Sequence, residues 1–127
     1  MNSVQKPRFT YPKAAKLKSK AGINRLFLEG KSLFVYPIRA VFVFHPKAAE
    51  AVSVKVGVSV SKRHFKRATD RNRIKRLLRE AYRLNQGLVP EQKTHDLSCM
   101  LTFIGKEMPD FKTIFKNVGE ILRQLNP

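Results

Sequence analysis

The sequence contains very little of what several classes of protein require. It has one cysteine, Cys99, and no tryptophan. A single cysteine cannot form an intramolecular disulfide, and it excludes a zinc site built from several cysteines. The three histidines, His45, His64 and His95, are far apart and lack the spacing of a metal site.

Long apolar segments are also missing. No apolar run approaches the roughly 18 residues that a transmembrane helix needs. The N-terminal segment MNSVQKPRFTYPKAAKLKSK has no apolar stretch of the kind found in secretory signals. We therefore expect a cytoplasmic protein without a membrane-spanning helix.

Acidic residues are scarce, and this scarcity is the strongest signal in the composition. Nine Asp and Glu stand against 26 Lys and Arg, so the formal net charge is +17 at pH 7. Like charges at this density repel one another, and a polyanionic partner relieves that repulsion. Nucleic acid is the first candidate for that partner, and an anionic membrane surface is the second.

The same scarcity bears on catalysis. The few carboxylates show no pairing suited to acid–base chemistry, and no Ser/His/Asp or Cys/His arrangement is recognisable. No glycine-rich loop of the phosphate-binding kind is present either. We therefore predict that this chain supplies no catalytic residue and no metal ligand.

Hydrophobic residues nevertheless make up 43% of the 127 residues, which is enough for one core. We predict a single domain over 1–127, with 1–18 as a basic, proline-containing arm. A short helix should follow, capped by Ser19 and ended at Gly30 in the left-handed conformation. Ile23, Leu26 and Phe27 fall on one face of that helix.

Several segments have the pattern of strands. Residues 38–45 are β-branched and aromatic, which predicts a strand covered on both faces. Residues 51–61 alternate strictly, so their valines predict a core face and their small polar residues an open floor. Residues 96–105 predict another strand, and 33–36 leave room for one more.

The C-terminal residues predict an amphipathic helix with a phenylalanine-rich apolar stripe. The order α-β-β-β-α-β-α predicts an α+β fold: an α/β sandwich with one mixed sheet of about four strands and about three helices.

The segment ATDRNRIKRLLREAYR, from Ala68 to Arg83, contains six Arg or Lys and two acids. On a helical wheel its apolar residues fall in one sector: Ile74, Leu77, Leu78, Ala81 and Tyr82. The opposite sector is basic and contains Asn72, Lys75, Arg76, Arg79 and Arg83. Arg71 and Arg73 lie at the borders between the two sectors. Glu80 alone is placed for an ordinary helix-spaced ion pair, with Arg76 or Arg83. Further cations precede the helix: Lys62, Arg63, Lys66 and Arg67.

A basic face can be ordinary solvated surface, but solvated faces usually mix both signs of charge. Arginine predominates here, and its planar guanidinium group binds phosphate oxygens in a bidentate manner. Of the two candidate partners, the pattern therefore predicts nucleic acid, and we expect no membrane partner. The chain has neither a helix-turn-helix nor a zipper, so the basic helix favours structured RNA over the DNA major groove.

The triplet RNR at Arg71–Arg73, followed by IKRLLRE and preceded by VGVSVSKR, resembles the signature of the protein subunit of bacterial ribonuclease P. The segment KLKSKAGINRLFLEGKS is similar to the N-terminal basic segment and first helix of that family. The resemblance implies a left-handed βαβ crossover and a protein that does not itself cleave RNA. A large RNA subunit would cleave precursor tRNA at the mature 5′ end, using Mg²⁺ bound mainly by RNA.

The resemblance also implies which residues contact RNA. Contact with the catalytic RNA is implied for Arg71, Asn72, Arg73, Lys75, Arg76 and Arg79, and contact with either RNA for Lys62 and Arg63. The single-stranded 5′ leader of the precursor would bind a cleft on the sheet at Ile23, Phe27 and Phe42. Ile23 stands where the family often has an aromatic residue. Burial in the core is the competing interpretation of Phe27 and Phe42.

Two other functions stay open at this point. A general or ribosome-associated RNA-binding protein of similar fold would bind structured RNA without affecting precursor-tRNA cleavage. A metal-dependent nuclease would cleave RNA by itself, and the absence of clustered acids counts against it.

Overall fold

The computed structural model describes residues 20–46, 54–89 and 95–126. Their order of helices and strands is the predicted one. The elements are α1 (Lys20–Glu29), β1 (Lys31–Val35), β2 (Ile38–Pro46), β3 (Val54–Val60), α2 (Ala68–Asn85), β4 (His95–Phe103) and α3 (Phe111–Gln124). A 3-10 turn at Gln86–Leu88 follows α2. The predicted basic arm at 1–18 and the predicted cap Ser19 lie outside the described residues.

The four strands form one mixed sheet in the order β1-β2-β4-β3. Strand β2 pairs antiparallel with β1 and β4, whereas β3 and β4 are parallel neighbours. The connection from β3 to β4 contains α2, so these three elements form a βαβ unit. The α+β fold with a four-stranded sheet and three helices is confirmed. The left-handed sense of the crossover stays a prediction.

One face of the sheet, the helix-pair face, packs against α2 and α3. Alternate residues of the strands point to this face because side chains in a strand alternate between its two sides. Those buried there are Ile38, Ala40, Phe42, Val56, Val60, Leu97, Cys99, Leu101 and Phe103. Complete burial raises the pKa of the Cys99 thiol to about 12, so the thiol is neutral at pH 7.

The other face, the α1 face, is covered only in part. Leu26 of α1 packs on Val41 of β2 and Met100 of β4, and Ile23 and Val43 flank this smaller cluster. Strand β2 is therefore covered on both of its faces, as its continuous apolar sequence predicted.

Gly30 ends α1, but in a different way from the prediction. None of the described glycines has a positive φ, so Gly30 is not in the left-handed conformation. A Cβ atom at this position would lie 2.7 Å from Val41 Cγ1 and would collide with the Leu26 carbonyl oxygen. Glycine is needed because the chain passes directly against the helix and β2 where it turns into the sheet.

Helices α2 and α3 are joined by a buried polar bridge. The Asn85 side-chain amide donates to the carbonyl oxygens of Ala81 (2.9 Å) and Phe115 (3.0 Å).

Helix α3 begins at an Asp110 cap, whose carboxylate accepts from the Thr113 backbone N–H at 2.8 Å. None of the helices in the described ranges is long and apolar enough to cross a membrane.

Replacing Leu78 by alanine tests the packing of α2. Leu78 is completely buried, so we expect Leu78→Ala to lower the free energy of unfolding by about 2–5 kcal/mol. Leu28→Ala is the matched control, because Leu28 is 86% exposed and should change stability by no more than about 0.5 kcal/mol. Urea titrations of both variants provide the measurement. Equal losses would contradict the burial of α2.

Candidate nucleic-acid interface

Helix α2 separates its apolar and basic residues as the helical wheel predicted. The side chains of Ile74, Leu78, Ala81 and Tyr82 are buried against the sheet and α3. Burial raises the pKa of Tyr82 to about 12, so its phenol is neutral at pH 7. The opposite face has four exposed side chains: Asn72, Arg73, Arg76 and Arg79. Lys75 and Arg83 are half-buried beside them.

The structure settles which arginine Glu80 neutralises. Arg83 Nε donates to Glu80 Oε1 at 2.9 Å, and Arg83 Nη2 donates to Oε2. This hydrogen bond holds the pKa of Glu80 below its usual value. Within the described ranges, Arg73, Arg76 and Arg79 form no ion pair. A row of guanidinium groups therefore faces solvent without an acidic partner.

The loop between β3 and α2 extends this basic surface. Its cationic side chains are exposed: Lys62, Arg63, Lys66 and Arg67. Phe65 lies between them in sequence but is buried, with its ring centroid 5.9 Å from that of Phe103. Phe65 was not among the predicted site residues, although a single aromatic residue within a basic loop is the type of residue that anchors such a loop. Its burial fixes where the flanking cations lie.

Arg71, predicted at the border of the basic sector, is half-buried and forms hydrogen bonds within the protein. Its Nη1 donates to the carbonyl oxygens of Phe65 (2.8 Å) and Lys66 (2.7 Å). The Arg71 side chain therefore holds the loop against the first turn of α2. The first arginine of the RNR triplet positions other cations, whereas Arg73 presents its own charge to solvent.

The α1 face contains two of the three residues predicted to bind the leader. Ile23 is half-buried beside Leu26, and Phe27, one helical turn after Ile23, is 51% exposed. The interpretation of Phe27 as a core residue is therefore wrong. An exposed phenylalanine beside a sheet is available for stacking on a nucleobase.

Phe42 lies elsewhere, which corrects its predicted place in the cleft. Its side chain is 8% exposed and belongs to the helix-pair face, packing edge-to-face on Phe44 at 6.1 Å. Phe42 alternates with Val41, which packs under α1, so the two side chains are on opposite faces of the sheet. Phe42 and Phe27 cannot line one surface.

Next to α1, the α1 face of the sheet has small and polar side chains. Gly57 and Ser59 alternate with Val56 and Val60, whose side chains are on the helix-pair face. On the neighbouring strands, Ser98 Oγ lies 3.3 Å from His45 Nε2. The predicted polar floor of β3 is therefore present, and it continues across β4 to β2.

The donor set of this region suits phosphate better than a divalent cation. The only acids of α2 are Asp70 and Glu80, and Glu80 is engaged by Arg83. Within the described ranges, no three His, Cys, Asp or Glu side chains form a group that could hold a metal ion. Guanidinium groups that have no acidic partner within the described ranges are suited to binding phosphate.

Comparison with known proteins gives one consistent family. The family model described as Ribonuclease P matches residues 11–126. The ribonuclease P protein component of Porphyromonas gingivalis is 40% identical over 111 residues, covering 85% of this chain and 80% of that protein.

Solved structures agree. The RNase P protein from Thermotoga maritima superposes with a TM-score of 0.69 at 26% identity, covering 88% of this chain and 98% of that chain. The RNase P protein of Staphylococcus aureus gives a TM-score of 0.67 at 21% identity, covering 87% of this chain and 94% of that chain, which shows the shared fold. With its family model matched over almost its whole length, this chain belongs to the bacterial ribonuclease P protein family, the protein component of a tRNA-processing endoribonuclease.

Proposed function

We propose that this chain is the non-catalytic RNA-binding subunit of its ribonuclease P. The basic face of α2 binds the catalytic RNA, and the α1 face binds the single-stranded 5′ leader of precursor tRNA. The observation that carries this proposal is the row of Arg73, Arg76 and Arg79, which has no acidic partner within the described ranges. Its charge matches the closely spaced phosphates of a folded RNA.

The basic surface has two kinds of residue in this proposal. Arg73, Arg76 and Arg79, with Asn72 and Lys75, contact phosphates of the catalytic RNA directly. Lys62 and Arg63, on the anchored loop, contact either the catalytic RNA or the precursor. Arg71 is a positioning residue, because its guanidinium group is already bonded to the loop carbonyls.

The leader is proposed to lie on the α1 face. Phe27 offers an exposed ring for stacking, and the floor beyond it has small side chains that admit a nucleic-acid backbone. Ile23 contributes apolar contact without stacking. We therefore expect weaker leader binding at Ile23 than an aromatic residue would give.

Cleavage is assigned to the RNA subunit. The Mg²⁺ that it uses is held mainly by RNA phosphates, and the protein lowers the Mg²⁺ requirement by neutralising other phosphates. The reaction is hydrolysis of precursor tRNA at the mature 5′ end, and it takes place in the cytoplasm.

Precursor-tRNA cleavage at low Mg²⁺ tests the proposal. Three reactions are compared: the protein alone, a cognate ribonuclease P RNA alone, and both together. We expect cleavage at the mature 5′ end only in the third reaction. Cleavage by the protein alone would make the chain a nuclease. No stimulation of a cognate RNA would leave it a general RNA-binding protein.

Arg76→Ala and Arg79→Ala test the basic face. Each should weaken binding to the catalytic RNA by about 1.5–3 kcal/mol, because each removes a charge-assisted hydrogen bond to phosphate. The melting temperature should stay near that of the wild type, since both side chains are exposed. Arg123→Ala on α3 is a matched control, also exposed, and should leave binding unchanged. An equal loss from Arg123→Ala would argue for a general effect of net charge.

Arg71→Ala should behave differently from Arg76→Ala and Arg79→Ala. It removes two hydrogen bonds that hold the 61–67 loop, so we expect it to reduce stability by about 1–3 kcal/mol and to weaken RNA binding. Thermal melts and RNA titrations of the same preparation provide the two values. A melting temperature equal to that of wild type would place Arg71 with the direct contacts instead.

A further inference from the structure

The hairpin of β1 and β2 exposes two aromatic rings that the proposed RNA contacts do not use. Phe34 is 62% exposed and Tyr36 is 68% exposed. Tight turns and edge strands are ordinarily polar, because exposed aromatic surface invites association. Two exposed rings only two residues apart in one hairpin therefore indicate a binding surface.

The register of the strands places Phe34 on the α1 face. Leu33 and Val35 pack on the helix-pair face, so Phe34 between them points to the opposite side. Its partner across the ladder is Arg39. Arg39 precedes Val41 by two residues on the same face, which is about 7 Å along the strand, and Val41 packs under α1. The hairpin surface therefore continues the surface that holds Phe27.

Arg39 adds a cation to this surface. Its guanidinium carbon lies 5.7 Å from the centroid of the Phe34 ring, and its Nη2 donates to Ser32 Oγ at 3.3 Å. Its Nε is buried without a hydrogen bond within the described ranges. Within those ranges Arg39 also has no carboxylate partner. Its charge is therefore available to a phosphate while its plane stays stacked on the ring.

The turn that carries Tyr36 is held in place by the rest of the fold. Asn117 Nδ2 of α3 donates to the Tyr36 carbonyl oxygen at 3.1 Å. The Ile104 backbone N–H donates to the Pro37 carbonyl oxygen at 2.8 Å. The two rings are therefore presented by an anchored turn, which reduces the entropy lost when a ligand binds.

We propose that Phe34, Tyr36 and Arg39 form a distal leader site, which binds unpaired nucleotides of the precursor's 5′ leader beyond those held at α1. This rests on the proposed function. Single-stranded nucleic acid is recognised by aromatic stacking together with cations that follow its backbone, and the site supplies both.

Charge favours RNA over a protein partner at this site. The segment Lys31–Pro46 contains Lys31 and Arg39 and no Asp or Glu. Tyr36 also lines a cavity that contains Lys106 and two carboxylates, Glu107 and Asp110, and that includes neither Phe34 nor Arg39. The leader phosphates should therefore pass on the Arg39 side of the hairpin.

The test is precursor binding by the reconstituted holoenzyme as a function of leader length. Precursors carry leaders from about two to about twelve nucleotides, a range that spans typical single-strand site sizes. For Phe34→Ala/Tyr36→Ala we expect affinity for the longest leaders to fall about tenfold or more. Affinity for the shortest leader should not change.

Three further variants make the result specific. Phe34→Leu keeps apolar bulk without a ring and should reproduce part of the loss, whereas Phe34→Tyr should retain wild-type affinity. Phe115→Ala removes a partly exposed ring from α3, 38% exposed, and should have no leader-dependent effect. Circular dichroism melts check that each variant is folded.

Each outcome decides the proposal. A loss confined to long leaders supports the distal leader site. An equal loss of affinity at every leader length overturns the proposal, because the hairpin would then contact the catalytic RNA instead. No loss of affinity at any length overturns it as well. Wild-type holoenzyme that fails to cleave any precursor at low Mg²⁺ would refute the proposed function itself, which separates the two failures.

Discussion

The packing of α2 between the sheet and α3 supports the whole basic surface. Ile74 and Leu78 are completely buried, and burial of side chains of this size contributes about 1.5–3 kcal/mol each. This apolar contact offsets the mutual repulsion of the arginines on the other face. The Asn85 bridge to α3 fixes the end of the helix. The helix can therefore present unpaired charge without depending on internal ion pairs.

Much of this could be predicted from the sequence because the patterns are local. The separation of the two faces of α2 follows from a period of 3.6 residues, and the segment Ala68–Arg83 that shows this period lies within α2 (Ala68–Asn85). The strand predicted at residues 96–105 is likewise present as β4 (His95–Phe103). The RNR triplet added the family, which the comparisons confirmed.

Other features depend on contacts between distant segments. Alternation places Phe42 opposite Val41 but does not say which face α1 covers, so its place in a cleft was predicted wrongly. Arg71 fits the basic sector of a wheel, yet the wheel contains no loop carbonyls for it to bind. The pairing of Phe34 with Arg39 follows from strand register, which local sequence does not reveal.

The salt dependence of binding to the catalytic RNA tests the central claim most directly, because it counts the phosphates that the protein neutralises. We expect the triple variant Arg73→Gln/Arg76→Gln/Arg79→Gln to reduce the slope of log K against log salt by about 0.7–0.9 for each arginine removed. An unchanged slope in the triple variant would contradict it, because the row of arginines on α2 would then contribute no phosphate contacts.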